Sequence, residues 1–259
     1  MSSACRMMKG VILQQLMLET VLSPALFPLH QSDIETKIVV VIDILRATST
    51  ICEALQQGAV EIVATATPDE ALTYRSKGFL CAAERDGVTV PGFELGNAPQ
   101  DYSRELVGGK SIALTTTNGT RCLRMSTNAH QVFAGSFLNI SVLASYLRRE
   151  QKPVLLFCAG WKDKFNLEDT FFAGALASML AKDFPSDCDA TLAAMHMWEL
   201  NKDRAADFLK NASHARRFQH LQRETDIDVC LRLDKAPVLP LFKDGIIRNL
   251  SENMVDFDA

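Results

Sequence analysis

Four short stretches bring together the residue types that handle a phosphate ester. Asp43, Arg46, Thr48 and Ser49 form the first, and Glu84, Arg85 and Asp86, with Gly96 and Asn97 further along, the second. Thr117, Asn118, Gly119, Thr120 and Arg121 form the third, and Lys162, Lys164, Glu168 and Asp169 the fourth. The carboxylates of Asp43, Glu84, Glu168 and Asp169 are hard oxygen ligands suited to Mg²⁺, which takes a few carboxylates and completes its shell with water and substrate. Arg46 and Arg85 have the planar fork that clamps oxyanions, and the Ser and Thr hydroxyls add short donors. His214 is a candidate general acid for a leaving alkoxide. His and Cys are too sparse for a zinc centre.

Each of these residues also has a plainer role. Arg46 can pair with Asp43 alone, and Glu168 with Asp169 can simply occupy a helix first turn, where acids oppose the macrodipole. His214 can be structural. Cys158 sits at a strand end, but a Cys-based phosphate loop needs Arg six residues on, and that position is Lys164, so a small buried thiol is the favoured reading.

The elements that must position these groups alternate. "KIVVVID" (37–43) is a continuous β-branched run, the mark of a strand buried on both faces, and "ATSTICEALQQG" reads as a helix ending at Gly58. "VEIVAT" (60–65) is a strand, after which Thr67, Pro68 and Glu70 supply an N-cap, an N1 proline and a capping-box acid for a helix ending at Gly78. "FLCAA" (79–83) is a strand followed by a long loop through Pro99 and a short helix near 100–106. "KSIALTT" leads into a helix after Asn118, "QVFAG" into "SVLASYLRRE", and "PVLLFCAG" (153–160) into the strongly apolar helix 167–182. From about Asp183 the texture changes: 201–224 is polar and helical, and "DIDVCLRL" and "VLPLF" read as short strands. Such alternation predicts a three-layer α/β/α fold with a largely parallel or mixed sheet, because parallel neighbours need crossovers. In such sheets ligands gather where strands end and helices begin, which is where all four polar stretches fall.

Composition narrows the class. The chain has 259 residues, 47% hydrophobic and 22% charged, with no low-complexity tract, enough for one domain (17–259) with a C-terminal subdomain from about 183. Residues 1–16 read as a leader outside the core, faintly like a signal peptide but broken by Gln14 and Gln15. A net charge of −4 argues against nucleic acid, no stretch reads as transmembrane, and seven scattered cysteines without a CxxC pair suggest reduced thiols in the cytoplasm. The apolar helix 167–182 suggests a face for a homodimer. GxxxxGK[ST] and GxGxxG are missing, and Leu45 stands where an aspartyl-phosphate phosphatase has its second acid.

Five stretches in order, "VVVIDILRATSTI", "AERDGVTVPGFELGNAP", "LTTTNGTR", "CAGWKDKFNLEDTFFAG" and "SHARRF…DIDVCLRLD…VP", resemble the 2-phosphosulfolactate phosphatases across Thr20 to Phe242. The resemblance implies a magnesium-dependent acid phosphatase converting 2-phospho-3-sulfolactate to sulfolactate and phosphate, the step that leads to coenzyme M in methanogens. It also implies a three-layer α/β/α arrangement distinct from other phosphatases. Carried onto this chain, it places Mg²⁺ on Glu84 and Asp169, with Asp43 and Glu168 as further ligands. Arg46, Arg85, Asp43, Glu84 and Asp169 become the catalytic set, and Thr48, Ser49, Asn97, Thr117, Asn118, Gly119, Thr120 and His214 contact a small anionic phosphorylated substrate. Ala83 stands where the family pattern has Gly, and Ala98 where it has Ser, which bears on substrate more than on reaction class. The residues equally allow a phosphatase for another small phosphorylated hydroxy acid, or a non-catalytic anion-binding regulatory homologue, although the latter has no use for four acids at strand exits. Direct attack by water and a covalent Asp43 intermediate are both open routes.

Overall fold

A computed structural model describes residues 16–214, 216 and 225–250. The expected leader and the helical reading of 217–224 lie outside these residues, except for Leu16. The strands are β1 (Leu18–Val21), β2 (Ile38–Ile42), β3 (Glu61–Ala64), β4 (Leu80–Arg85), β5 (Val88–Thr89), β6 (Ser111–Thr115), β7 (Gln131–Gly135), β8 (Val154–Cys158), β9 (Pro240–Lys243) and β10 (Ile246–Asn249). The helices are α1 (Ala47–Gln56), α2 (Pro68–Thr73), α3 (Arg104–Val107), α4 (Gly119–Met125), α5 (Ile140–Glu150), α6 (Leu167–Leu180), α7 (Asp189–Asn201), α8 (Ala205–Leu209) and α9 (Thr225–Cys230).

The ten strands form one mixed sheet in the order β1-β8-β2-β7-β9-β10-β3-β6-β4-β5. Two parallel blocks, β1-β8-β2-β7 and β3-β6-β4, are joined by the antiparallel β9–β10 hairpin. Three antiparallel steps lie between the blocks, so their strands run with opposite formal polarity. A sheet twists by about 20–25° per strand, which over the five steps from β2 to β6 exceeds a right angle and swings the two sets of strand exits together.

Side chains alternate across this sheet and build a core on each face. Ile38, Val40, Ile42, Phe133, Val154 and Leu156 pack one way with Leu143, Phe171, Phe172 and Leu176 from α5 and α6. Val39, Val41, Ile62, Ile112, Leu114 and Phe157 pack the other way with Ile51, Leu55, Cys122 and Leu123 from α1 and α4. Two cores around one sheet make the three-layer α/β/α arrangement that the alternation predicts. Strand β2 contributes to both and is buried throughout.

Several local expectations hold in detail. Thr67 Oγ1 accepts from Glu70 N at 3.1 Å, Glu70 Oε2 accepts from Ala66 N at 2.7 Å, and the segment after α2 ends at Gly78 with φ 85°. Others are corrected. The expected loop after Glu84 begins as a β-hairpin, with Asp86 (φ 53°) and Gly87 (φ 88°) forming the tight turn between β4 and β5. The same chemistry recurs at Asp244 (φ 53°) and Gly245 (φ 83°) between β9 and β10. The helix expected over 100–106 is broken at Tyr102, whose buried hydroxyl donates to Gly96 O at 2.7 Å. "DIDVCLRL" is not a strand: α9 buries Asp226, Ile227 and Cys230, the i, i+1, i+4 spacing of a helix face. The apolar α6 does not wait for a second copy. Residue Gly174 lets α7 approach so closely that a Cβ there would lie 2.0 Å from Ala194 O, so α6 is covered within the chain. This removes the basis for the expected dimer. No helix among the described residues is long and apolar enough to cross a membrane.

Candidate active site

Asp43 follows β2 and heads α1. Its Oδ1 accepts from Ala47 N at 3.3 Å, while its backbone carbonyl accepts from Thr48 N at 3.0 Å and Thr48 Oγ1 at 2.9 Å. Gly119, the first residue of α4, packs against this corner, where a Cβ would sit 2.8 Å from Asp43 Oδ2 and 2.5 Å from Ala47 Cβ. Only glycine lets the β6 exit close on the β2 exit in this way. Burial pushes the Asp43 carboxyl up to about 6, against the pull of His214 and the Ala47 N–H and helped by Glu84 and Glu168.

Glu84, at the end of β4, faces the same corner. Its carboxylate accepts from Gly87 N at 2.5 Å in the Asp-Gly turn and from Thr117 N at 3.3 Å. The cis Leu45–Arg46 peptide precedes α1. The Arg46 guanidinium is 3% exposed; Nη2 donates to Gly87 O at 2.9 Å and Nη1 to the buried carboxylate of Asp226. The other Asp226 oxygen accepts from Gln100. Asp226 was not singled out by the sequence, since nothing in "TDIDVC" marks one acid as the partner of an arginine 180 residues away.

These groups line one narrow pocket: Asp43, Leu45, Arg46, Glu84, Gly87, Asn97, Asn118, Trp161 and His214, around about 10 Å³, the room of a single water or ion. The sequence therefore brings Asp43, Arg46, Glu84, Asn97, Asn118 and His214 together. Asn118 Oδ1 accepts from Lys162 N at 3.3 Å. His214 Nδ1 lies 2.8 Å from Glu168 Oε1, both side chains buried, and the Trp161 ring packs 5.6 Å from the imidazole.

The remaining expected residues take other positions. Asp169 spends both oxygens on the frame, accepting from Ile44 N at 2.9 Å, Gly160 N at 3.0 Å and Asn166 Nδ2 at 2.8 Å. Burial, Asp43 and Glu168 push its carboxyl up, while these N–H donors favour the charged form. Asp169 thereby ties the β2 and β8 exits to the first turn of α6, which Asn166 caps through Asp169 N at 3.2 Å. Thr48 and Ser49 are fully buried; Ser49 donates to Ile44 O and meets Ser136 Oγ, each at 2.9 Å, so both brace α1 behind the pocket. In the threonine-rich bend, Thr116 Oγ1 accepts from Thr120 N and Thr120 Oγ1 from Thr116 N, both at 3.2 Å, so Thr120 closes the turn internally instead of offering an open amide. Burial raises the Cys158 thiol well above its usual range, in keeping with a packing role.

Arg85, Thr117 and Thr120 line a different, larger space. This cavity, about 520 Å³, is bounded by Ala66, Arg85, Thr116, Thr117, Thr120, Arg121, Arg124 and Met125. Arg85 Nη2 donates to Thr115 Oγ1 at 3.0 Å and Nη1 to Glu84 O at 2.6 Å. The Glu84–Thr117 contact is the wall between the two spaces.

Among the described residues no three His, Cys, Asp or Glu side chains cluster closely enough to hold a metal. The narrow pocket nevertheless has an all-oxygen donor set in Asp43, Glu84 and Asn97. Asn97 Oδ1 is buried with no hydrogen-bond partner among the described residues, as is Glu168 Oε2 behind His214. The oxygen donors of Asp43, Glu84 and Asn97 suit a hard cation such as Mg²⁺; with no sulfur donor and no imidazole among the three, they do not suit zinc.

A profile of the 2-phosphosulpholactate phosphatase family matches residues 23–245. A protein of Caldanaerobacter subterraneus subsp. tengcongensis named probable 2-phosphosulfolactate phosphatase is 38% identical over 226 residues, 85% of this chain and 93% of that relative. Proteins of the same name from Thermotoga maritima and a Synechocystis species are 36% and 37% identical, covering 89% and 78% of this chain and 97% and 87% of their own. The chain belongs to the 2-phosphosulpholactate phosphatase family, a family of phosphatase-type hydrolases.

Proposed function

We propose that this family member is a magnesium-dependent phosphoric monoester hydrolase that converts 2-phospho-3-sulfolactate to 3-sulfolactate and phosphate, acting in the cytoplasm as one catalytic domain. The observation that carries the reading is the narrow pocket, where Asp43, Glu84 and Asn97 surround ion-sized space with Arg46 and His214 on the same walls. Asp43, Glu84 and Asn97 would hold Mg²⁺, which when bound supplies Lewis-acid polarisation of the phosphoryl oxygens.

Arg46 binds the non-bridging oxygens. With Asp226 and Gly87 fixing its guanidinium, little reorganisation is needed as charge builds on the phosphoryl group. His214 protonates the departing alkoxide. Glu168 holds Nδ1–H, so a protonated His214 carries its transferable proton at Nε2, and Glu168 sets the ring orientation. Asp169, Thr48, Ser49 and Thr120 keep the strand exits in register. Asp43 is the residue for a covalent route if one operates; the stereochemical course at a chiral phosphoryl group distinguishes the two, with inversion on direct attack by water and retention on the two successive displacements of the covalent route.

The deciding experiment measures phosphate release from 2-phospho-3-sulfolactate, phospholactate and 3-phosphoglycerate with Mg²⁺ and with a chelator. Turnover should be fastest on the sulfolactate ester and vanish on chelation. Release at background from all three would overturn the reading, and preference for another ester would reassign the substrate while leaving the reaction class.

A further inference from the structure

The 520 Å³ cavity beside the narrow pocket takes no part in that chemistry, yet its walls are specialised. Three of its eight lining residues are arginines and three are threonines, in a chain of net charge −4. Arg85 comes from the end of β4, and Arg121 and Arg124 stand one helical turn apart on α4. Side chains at that spacing share a helix face.

Each guanidinium is steered without being consumed. Arg85 makes two hydrogen bonds, to Glu84 O and Thr115 Oγ1, of the five a guanidinium can donate. Arg121 Nη1 meets Asp163 at 2.8 Å, and Arg124 Nη1 reaches Ala64 O at 3.3 Å with Glu70 at 3.9 Å. These two acidic contacts are about half exposed, where ion pairs are weak and readily exchanged for a better-charged partner. Thr117 lines the cavity, and its N–H and hydroxyl meet the carboxylate of Glu84, which lines the narrow pocket.

The narrow pocket has room for a single ion or water, not for the body of an organic acid. We propose that the arginine-lined cavity is the subsite for the non-transferred anionic arm of the substrate, a sulfonate or carboxylate, and that Arg121 and Arg124 determine specificity for it. This rests on the phosphatase reading above. A compact oxyanion there would meet bidentate guanidinium donors, and the Ala66 and Met125 walls would cover the carbon skeleton. Esters without a second anion lose this contact and keep the phosphoryl site.

The test compares two substrates in one pair of variants. For wild type, R121A and R124A, kcat and KM are measured with 2-phospho-3-sulfolactate and with phenyl phosphate, and thermal unfolding checks that each variant folds. The expected result is a rise in KM for the sulfolactate ester of at least about tenfold per arginine, tenfold or more beyond any change with phenyl phosphate, with R124K recovering part of the loss. Equal changes on both substrates, or no change on either, would overturn the proposal. If wild type hydrolyses neither ester the function reading fails, yet the subsite is still decided: calorimetric binding of 3-sulfolactate should be present in wild type and weakened in both variants, and its persistence in the variants refutes the assignment.

Discussion

The narrow pocket and the arginine cavity share a wall at Glu84 and Thr117 but treat charge in opposite ways. In the pocket, Asp43, Glu84 and Arg46 are 8%, 5% and 3% exposed, and Asp226, which holds Arg46 from behind, is 0% exposed. In the cavity, Arg121 and Arg124 are about half exposed and their partners sit at the rim. Buried charge fixes geometry at a cost in stability, because desolvation must be offset by partners placed to fractions of an ångström. Rim charge costs little and stays available for a ligand.

The comparison breaks first at Asp43. D43N should lower kcat/KM by about a thousandfold or more, since it removes the charge that both the metal and the covalent routes use. The same change should stabilise the fold at neutral pH. The Asp43 carboxyl is pushed up to about 6 from an ordinary 3.8, so the native state binds more protons than the unfolded chain between those values. Its contribution therefore makes stability fall as pH rises through that window, and the cost persists above it. Urea unfolding at pH 4 and pH 7 should show D43N gaining about 1–3 kcal/mol over wild type at pH 7 and much less at pH 4. An equal gain at both would separate Asp43 from the burial argument.

Next comes Asp226. D226A leaves the Arg46 guanidinium buried against an uncharged neighbour, so denaturant unfolding should show a loss of about 3–5 kcal/mol. G119A, which forces a methyl group into Asp43 and Ala47, should cost about 1–3 kcal/mol and lower kcat as the β6 exit moves away. Smallest of all, D163N removes the exposed partner of Arg121 and should change stability by less than about 1 kcal/mol. A large effect there would erase the contrast between pocket and cavity.

Much of this was legible in the residues and some was not. The β-branched run of β2, the Thr67 cap and the polar strand exits are local patterns, and the structure reproduces them because local and tertiary preferences agree there. The Asp86-Gly87 and Asp244-Gly245 hairpins carried a readable turn signal that the alternation of strands and helices obscured. The alternating apolar pattern of "DIDVCLRL" suggested a strand, but Arg46 and Gln100 give Asp226 a buried partner set that only a helix presents. For Asp169, Thr48, Ser49 and Thr120, residue type pointed to a ligand, whereas their hydrogen bonds are already made within the fold. Sequence shows which atoms can bind; only coordinates show which are already occupied.

The β9–β10 hairpin joins the two parallel blocks, pairing with β7 on one side and β3 on the other. A nascent chain emerging from the ribosome without residues 240–249 therefore has two half-sheets with unpaired inner flanks, the kind of surface that recruits stray strands. Closure of the sheet must wait until residues 240–249 have been made, and with it the juxtaposition of exits on which the pocket depends.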